Sequence, residues 1–246
     1  MSTSPGAAIT TATDPTSVGL RYTVRLEEAG DVAAIQQVNR KAFSKPGKPA
    51  TEHHIVDALR KDGQLCVSLV AVVSATAATD TDESTGHKEE VVGHVAMSPV
   101  AIGGANNCGW YGLGPVAVMP HAQKQGVGSA LIRAAHKLLS ASGANGFVVL
   151  GDPRYYSRFG YKVTAGITFP DAPKEYFMAL PLTGVQAREE EEETGACSLP
   201  QGVVRYHDSF YAEIPVEDAE DSPKDNDRRE TEQLHDAAAG GSATTH

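Results

Sequence analysis

An apolar strand runs into a glycine-rich helix start in the middle of the chain, and this junction requires a fold with a strand–loop–helix unit. Residues 110–119 (WYGLGPVAVM) are typical of a buried strand, and residues 126–142 place apolar side chains on one face of a helix. Between them, residues 123–128 read QKQGVG. Two glycines spaced two apart let a ligand approach the backbone, and the N–H groups and dipole of a helix start attract anions. The junction therefore predicts a cradle for a phosphate or pyrophosphate, with Gln123 or Lys124 adding contacts.

The glycine pattern differs from two better-known nucleotide-binding motifs. It lacks the spacing and the lysine of a Walker loop, G-x-x-x-x-G-K-[ST]. It is not a Rossmann fingerprint, since Leu131 stands where that motif has Gly or Ala. Taken alone, the pattern is equally consistent with a glycine-rich helix start that binds nothing. Its context favours the ligand, because a proline-interrupted strand precedes it and the segment GDPRYYSRFGY follows from residue 151.

The other apolar segments predict a mixed sheet flanked by helices. Strands are predicted over residues 22–26, 68–74, 91–102, 110–119, 147–150, 177–182 and 202–210. Helices are predicted over residues 31–43, 51–59, 126–142 and 153–159. This order indicates an α/β (α+β) fold that is largely antiparallel at first and has a strand–helix–strand unit in its second half. Pro115 cannot donate to a strand ladder, so it marks an edge, a bulge or a point where strands separate.

Charge and composition predict the domain boundaries. The formal net charge is −10. The excess of acidic over basic side chains lies in the runs 188–193 and 213–246, so the rest of the chain is close to neutral. Residues 1–20 and 212–246 contain few large apolar side chains and are predicted to be disordered. Residues 21–211 then form one domain, in which 75–90 and 187–200 are inserted loops.

Composition also narrows the function classes. The acidic balance argues against binding to nucleic acid or to an anionic membrane, and no apolar run reaches the roughly 18 residues of a membrane span. The first 20 residues lack the basic start and apolar core of a secretory signal. The three cysteines include no CxxC pair, so neither a disulfide framework nor a cysteine zinc site is predicted. We expect a cytoplasmic protein.

Five segments together resemble a known family. They are VGHV at 92–95, GPVAV at 114–118, QxxGxG at 123–128, VLGDP at 149–153 and YYxRFGY at 155–161. Through them the chain resembles the GNAT superfamily of acetyl-CoA-dependent N-acetyltransferases, and within it the YhbS-like branch of predicted acetyltransferases. The resemblance covers about residues 22–210.

The resemblance implies a coenzyme site. In such proteins the fourth and fifth strands, which match residues 113–119 and 147–150, splay apart and hold the pantetheine arm of acetyl-CoA, and Pro115 agrees with this separation. Acetyl-CoA is a co-substrate, and no metal is implied. The coenzyme-binding residues implied are the strand residues Val116, Ala117 and Val118, the junction residues Gln123, Lys124, Gln125, Gly126, Val127, Gly128 and Ser129, and Tyr156.

The resemblance also implies direct attack of an amine on the thioester, without an acyl-enzyme. Tyr156 matches a tyrosine that acts as general acid near the thioester sulfur in many relatives, and Tyr155 is the neighbour most easily confused with it. Packing of both rings against the sheet is the structural alternative. A tyrosine at this position can also bind the sulfur without donating its proton.

Three side chains and a water chain remain as candidates for the general base. His94 lies on the long central strand and has a suitable ordinary pKa of about 6.5, although a histidine on a strand is more often structural. Glu52, at the start of the second helix, either faces the acceptor or balances the helix dipole. Asp152 follows the fifth strand and either serves the mouth of the site or caps the short helix after it.

The resulting prediction is an N-acetyltransferase that moves an acetyl group from acetyl-CoA to a primary amine in a ternary complex. The acceptor is not identified by the sequence, because the loops that form the acceptor side vary among relatives. The alternatives are a non-catalytic acyl-CoA sensor and an interaction domain that acts through its acidic segments. The predicted partners are the coenzyme and an amine, without nucleic acid or membrane, and a homodimer is consistent with the resemblance.

Overall fold

The computed structural model describes residues 20–46, 50–74, 89–106, 108–170, 172–182 and 200–211. The predicted disordered N-terminus, apart from Leu20, and the predicted acidic tail lie outside the described residues. Most of the two predicted inserts, 75–90 and 187–200, also lie outside them.

The secondary structure follows the predicted order. The strands are β1 (Thr23–Leu26), β2 (Val67–Ser74), β3 (Glu89–Ile102), β4 (Trp110–Val118), β5 (Gly146–Leu150), β6 (Ile167–Thr168), β7 (Phe177–Pro181) and β8 (Gly202–Tyr206). The α-helices are α1 (Val32–Phe43), α2 (Glu52–Lys61), α3 (Val127–Ala141) and α4 (Pro153–Tyr156). Short 3₁₀ turns cover Ala29–Asp31, Pro120–Ala122, Ser157–Phe159, Lys174–Tyr176 and Asp208–Tyr211.

The strands form one mixed sheet, as predicted. Its main order is β1-β2-β3-β4-β5-β7, and β8 pairs with the far end of β3 and with β6. All neighbours along the main order are antiparallel except β4 and β5, which are parallel and joined through α3. The expected β3–β4 hairpin and the expected strand–helix–strand unit are both present.

Helices cover both faces of the sheet because each face is apolar. Leu131 and Ile132 of α3 pack on one face against side chains such as Leu69 and Val95. Ile35 of α1 and Val56 of α2 pack on the other face against a second set of strand residues. This two-sided burial fits the near-continuous apolar runs of β2 and β3.

The structure differs from the sequence predictions at the ends of several elements and in one short strand. Gly126 is the N-cap of α3 rather than its first helical residue. The two-residue strand β6 was not predicted, because it is too short to show alternation. The last predicted strand, 202–210, ends at Tyr206, and the chain then turns into the 3₁₀ segment Asp208–Tyr211.

Pro115 marks both a bulge and a separation of strands. Val95 of β3 lies opposite Val116, whereas Met97 lies opposite Leu113, so β4 carries one extra residue between these pairs. On the other side of β4, pairing with β5 runs from Trp110 to Leu113 and stops there. Since proline has no N–H to donate, the ladder cannot continue through it. The predicted splay is confirmed.

Candidate active site

The separation of β4 and β5 opens a cleft at the end of the sheet. β4 continues to Val118, beyond Leu113, which is the last of its residues paired with β5. β5 stops at Leu150. The start of α3 and the aromatic residues of α4 line the gap, which has a volume of about 570 Å³ and is called the main cleft here. Among the described residues, the edge of β4 at 116–118 that faces away from β3 has no strand partner. An extended ligand can therefore add to this edge as a further strand.

The loop before α3 forms an anion-binding backbone at the main cleft. Lys124 (φ 61°) and Gly126 (φ 84°) adopt left-handed conformations. The helical ladder begins with the bond from the Ala130 N–H to the Gly126 oxygen at 3.0 Å, so the N–H groups of residues 127–129 precede it. Alternating left-handed and helical residues make a concave nest of N–H groups, and the helix dipole adds positive charge.

Two glycines keep this nest open. A Cβ on Gly128 would lie 2.9 Å from the hydroxyl oxygen of Tyr155, closer than real Cβ atoms approach. A side chain on Gly126 would be strained by its positive φ, even though the nearest atom, the Tyr22 hydroxyl oxygen, is 3.5 Å away. The glycine spacing therefore has a physical reason in the folded chain.

The charged side chains that line the main cleft are cationic. They are Lys124 in the loop and Arg158 after α4, and no acidic side chain is among the described residues that line the cleft. The guanidinium of Arg158 lies 4.7 Å from the centre of the Tyr155 ring, a cation–π contact that helps to orient it. Two cations beside a nest of N–H groups suit a diphosphate.

Most of the implied coenzyme residues line this cleft. They are Val116, Val118, Gln123, Lys124, Gly126, Val127, Gly128, Ser129 and Tyr156. Ala117 and Gln125 do not: the Ala117 side chain is fully buried on the α1 face, and the Gln125 amide bonds to the backbone of His121 and Leu20. Sequence reasoning missed Ala42, Phe43, Ala122, Tyr155 and Arg158 as lining residues. For Arg158, its place inside the YYxRFGY segment was a usable signal.

Tyr156 stands in the wall of the main cleft and is held by other rings. Its ring meets those of Tyr155 and Tyr161 edge-on, at 5.0 and 5.9 Å between centres. Burial, and secondarily the neighbouring Tyr155, raises the pKa of Tyr156 to about 12. The hydroxyl therefore keeps its proton at neutral pH and can donate a hydrogen bond.

A second cavity of about 180 Å³ adjoins the main cleft and is called the side cavity here. Phe43, Val116 and Tyr156 line both cavities. Glu52, the first residue of α2, is the charged side chain among the described residues that line the side cavity. One of its carboxylate oxygens accepts a hydrogen bond from the Thr51 N–H at 2.9 Å. The position of Glu52 is therefore compatible with both roles considered for it from the sequence. It lies at the start of a helix, where it balances the helix dipole, and it lines a cavity that could hold the acceptor.

Asp152 lies outside both cavities and acts as a helix cap. Its carboxylate accepts a hydrogen bond from the Arg154 backbone N–H at 2.9 Å and pairs with the Arg154 side chain at 2.8 Å. These bonds hold the pKa of Asp152 below its usual value. The second of its two predicted roles, capping, is the one that the contacts support.

His94 is buried under α1 and lines neither cavity. Its Nδ1 faces the side-chain N–H of Asn39 at 3.2 Å and must accept, so its Nε2 carries the proton and donates to the Ser68 hydroxyl at 3.0 Å. Ser68 in turn donates to Glu27, which is paired with Arg60 at 2.8 Å. Burial, and then the charge of Arg60, lowers the pKa of His94 to about 3. This network supports the structural interpretation of His94.

Two histidines whose pKa values are lowered in the folded protein make the fold acid-sensitive. Burial lowers the pKa of His136, which stacks on Phe147, to about 4, and the pKa of His94 to about 3. Histidine has a pKa of about 6.5 in the unfolded chain. Below that pH these two side chains are protonated in the unfolded chain but stay neutral in the folded one. Above pH 6.5 we expect these two histidines to cause no loss in the free energy of unfolding. It should fall by about 1.4 kcal/mol per pH unit for each histidine as the pH drops toward 4.

Urea denaturation of His94→Gln at pH 7 and pH 5 checks this expectation. The variant should lose stability at pH 7 but show a smaller drop between the two pH values than the wild type. His121→Asn is the control, because His121 is exposed and its imidazole Nε2 lies 3.7 Å from a carboxylate oxygen of Glu90. An unchanged drop in His94→Gln, or an equal change in the control, would contradict the assignment.

The described residues contain no group of three or more His, Cys, Asp or Glu side chains that could hold a metal ion. None of the described helices is long and apolar enough to cross a membrane.

The chain is similar to known acetyltransferases. A model of the acetyltransferase (GNAT) domain matches residues 77–163. YhbS of Escherichia coli K12, described as an uncharacterized N-acetyltransferase, is 32% identical over 142 residues, which are 58% of this chain and 74% of YhbS.

Two crystal structures match the fold. One is a GNAT family acetyltransferase from Brucella melitensis in complex with acetyl-CoA, at 37% identity and a TM-score of 0.56, covering 77% of this chain and 98% of that one. The other is YhbS from Escherichia coli in complex with CoA, at 29% identity and a TM-score of 0.63, covering 82% of this chain and 97% of that one. Together with the splayed strands and the glycine loop, these likenesses establish that the chain belongs to the GNAT family of acetyltransferases.

Proposed function

We propose that this protein transfers the acetyl group of acetyl-CoA to a primary amine by direct attack in a ternary complex. The observation that carries the proposal is the arrangement of the two cavities. A cationic cleft with an anion-binding loop adjoins a smaller cavity that holds a carboxylate, and Tyr156 lines both. Such an arrangement suits a phosphate-bearing acyl donor on one side and a cationic acceptor on the other.

The coenzyme would follow the main cleft. Its diphosphate would bind the N–H groups at residues 126–129, beside Lys124 and Arg158, which line this part of the cleft. Its pantetheine arm would pair with the open edge of β4 at 116–118. Two relatives were crystallised in complex with acetyl-CoA or CoA, which supports a coenzyme of this kind as the ligand.

The chemistry follows from proton balance. A primary amine has a pKa near 10.4 and is an ammonium at neutral pH, so it must release one proton to solvent before it can attack. The nitrogen then attacks the thioester carbonyl carbon and gains acidity as the C–N bond forms. Glu52, the carboxylate of the side cavity, is the proposed acceptor of its second proton. The C–S bond breaks, and the thiolate leaves as a hydrogen-bond acceptor from Tyr156.

The raised pKa of Tyr156 favours a hydrogen bond to sulfur over full transfer of the tyrosine proton. A phenol with a pKa of about 12 is a much weaker acid than a thiol, whose pKa is near 8.5. Tyr156 therefore stabilises the developing negative charge on sulfur through a hydrogen bond, and full transfer of its proton is unfavourable. The proton that Glu52 takes from the amine then passes through water to the thiolate, which restores the Glu52 carboxylate and leaves CoA as the free thiol.

A thiol-release assay tests the proposal. Purified protein with acetyl-CoA and a panel of primary amines should release one CoA thiol for each acetylated amine, detected by mass spectrometry. The protein itself should carry no acetyl group during turnover. Coenzyme binding without thiol release from any amine would overturn the proposed activity and favour a coenzyme sensor.

A further inference from the structure

The side cavity lies where an acceptor must lie if the coenzyme occupies the main cleft. Val116 and Tyr156 line both spaces, so a molecule in the side cavity meets the donor at the wall that Tyr156 forms. This placement rests on the proposed function. The chemistry of the cavity wall then defines which acceptors fit.

The wall of the side cavity is mostly apolar and aromatic. Phe43, Phe169, Tyr206 and Phe210 contribute rings, and the ring of Phe169 meets that of Tyr206 at 5.6 Å while Phe210 stacks on Tyr206 at 4.1 Å. An apolar body buried there gains the free energy of leaving water. A polar body would lose its hydrogen bonds to water and find few replacements.

The charge of the wall selects the sign of the ligand. Glu52 is the charged group among the described lining residues, and no lysine, arginine or histidine is among them. The carboxylate is held by the Thr51 N–H through one oxygen, which leaves hydrogen-bonding capacity for a ligand ammonium. A carboxylate or phosphate on the acceptor would instead meet a like charge without a cation to offset it.

The size of the cavity limits the acceptor further. Its volume of about 180 Å³ is below the roughly 300–1,000 Å³ of pockets for drug-sized ligands. A small alkyl or aryl group fills such a space. A peptide backbone with its flanking residues exceeds this volume, and the hydroxyl groups of an amino sugar do not match the apolar wall.

We infer that the acceptor is a small primary amine with an apolar alkyl or aryl body and no acidic group, whose ammonium is bound by Glu52. The apolar body lies against the rings of the side cavity, and the amine nitrogen lies toward Tyr156 and the thioester.

A matched panel of amines tests the inference. 2-Phenylethylamine and 3-methylbutylamine are the apolar probes, and spermidine, glucosamine and glycinamide are the polar ones. Phenylalanine is the key comparison, because it is 2-phenylethylamine with a carboxylate added. We expect kcat/KM for 2-phenylethylamine to exceed that for phenylalanine by about 100-fold or more, since the added charge would be buried without a partner.

Variants at one carboxylate complete the test. Glu52→Gln keeps the shape and removes the charge. It should raise KM for 2-phenylethylamine about tenfold or more, lower kcat because the proposed proton acceptor is lost, and leave the Kd of acetyl-CoA unchanged. Glu175→Gln is the matched control, because Glu175 is exposed and lines neither cavity. Binding of 2-phenylethylamine to the protein–CoA complex, followed by NMR saturation transfer, gives a readout that does not depend on turnover.

The outcomes separate this inference from the proposed function. Preferred acetylation of polar amines, or an unchanged KM in Glu52→Gln, would overturn the inference and leave the acetyltransferase activity standing. Binding of 2-phenylethylamine that Glu52→Gln abolishes, without acetyl transfer to any amine, would support the cavity assignment and overturn the activity. Absence of both binding and transfer would overturn both.

Discussion

A Gly126→Glu variant is expected to lose acetyl-CoA binding, with the Kd rising about 100-fold or more. Gly126 is the N-cap of α3 at φ 84° and lines the cleft at the proposed diphosphate site. A glutamate there places a negative charge beside the diphosphate. Two like charges about 4 Å apart repel by roughly 4 kcal/mol at an effective dielectric constant near 20. The measurement is calorimetric titration with acetyl-CoA.

The matched control is Gly143→Glu. Gly143 follows α3, has nearly the same φ of 83° and has no atom within 4 Å of a Cβ. Both variants therefore carry the same kind of backbone strain and the same added charge, but only one of them lies at the cleft. We expect the control to bind acetyl-CoA as the wild type does. Equal binding by the two variants would remove the glycine loop from the coenzyme site.

A Tyr156→Phe variant should lower kcat by about 100- to 1,000-fold, the usual cost of losing one donor that stabilises charge in a transition state. The Kd of acetyl-CoA should change by about twofold at most, because the remaining phenyl ring keeps the edge-on contacts with Tyr155 and Tyr161. Steady-state rates and calorimetry on the same preparation give both quantities.

The pH profile and a second variant sharpen this test. Since the pKa of Tyr156 is about 12, its hydroxyl should produce no fall in kcat between pH 7 and pH 10. Tyr155→Phe should reduce kcat far less, because the Tyr155 hydroxyl lies beside Gly128 at the start of α3 rather than at the side cavity. A larger loss in Tyr155→Phe than in Tyr156→Phe would exchange the roles of the two tyrosines.

The elements that local patterns encode were predictable from the sequence. The helical stripe of α3, the apolar run of β3 and the glycine spacing before α3 each depend on neighbours within a few residues. Pro115 is a further example, since a missing N–H interrupts any ladder that reaches it. These features were sufficient to place the strand–loop–helix junction, whereas the splay of β4 and β5 and the list of coenzyme residues were implied by the resemblance to the GNAT family.

The side cavity could not be predicted, because it depends on contacts between distant parts of the chain. Tyr206 and Phe210 come from β8 and the turn after it, and they line the same cavity as Glu52 and Leu113 only in the folded protein. The need for glycine at position 112 has the same kind of cause. A Cβ there would overlap the Tyr206 ring, and the local sequence does not show that this ring packs against Gly112.

The environment of His94 was likewise beyond local reasoning. The strand pattern gives no sign that Asn39, Ser68 and Glu27 converge around the imidazole. A histidine with an ordinary pKa therefore resembled a candidate base until its burial was known. Arg158 illustrates the opposite case, because its motif was recognised while its place in the cleft was not.

The most direct test of the account is a crystal structure of this protein with CoA. The account predicts the pantetheine arm along β4 at 116–118, the diphosphate on the N–H groups at 126–129, and the sulfur within hydrogen-bond distance of the Tyr156 hydroxyl at the entrance to the side cavity. A coenzyme bound elsewhere, or a sulfur on the far side of the main cleft from Tyr156 and Glu52, would contradict it.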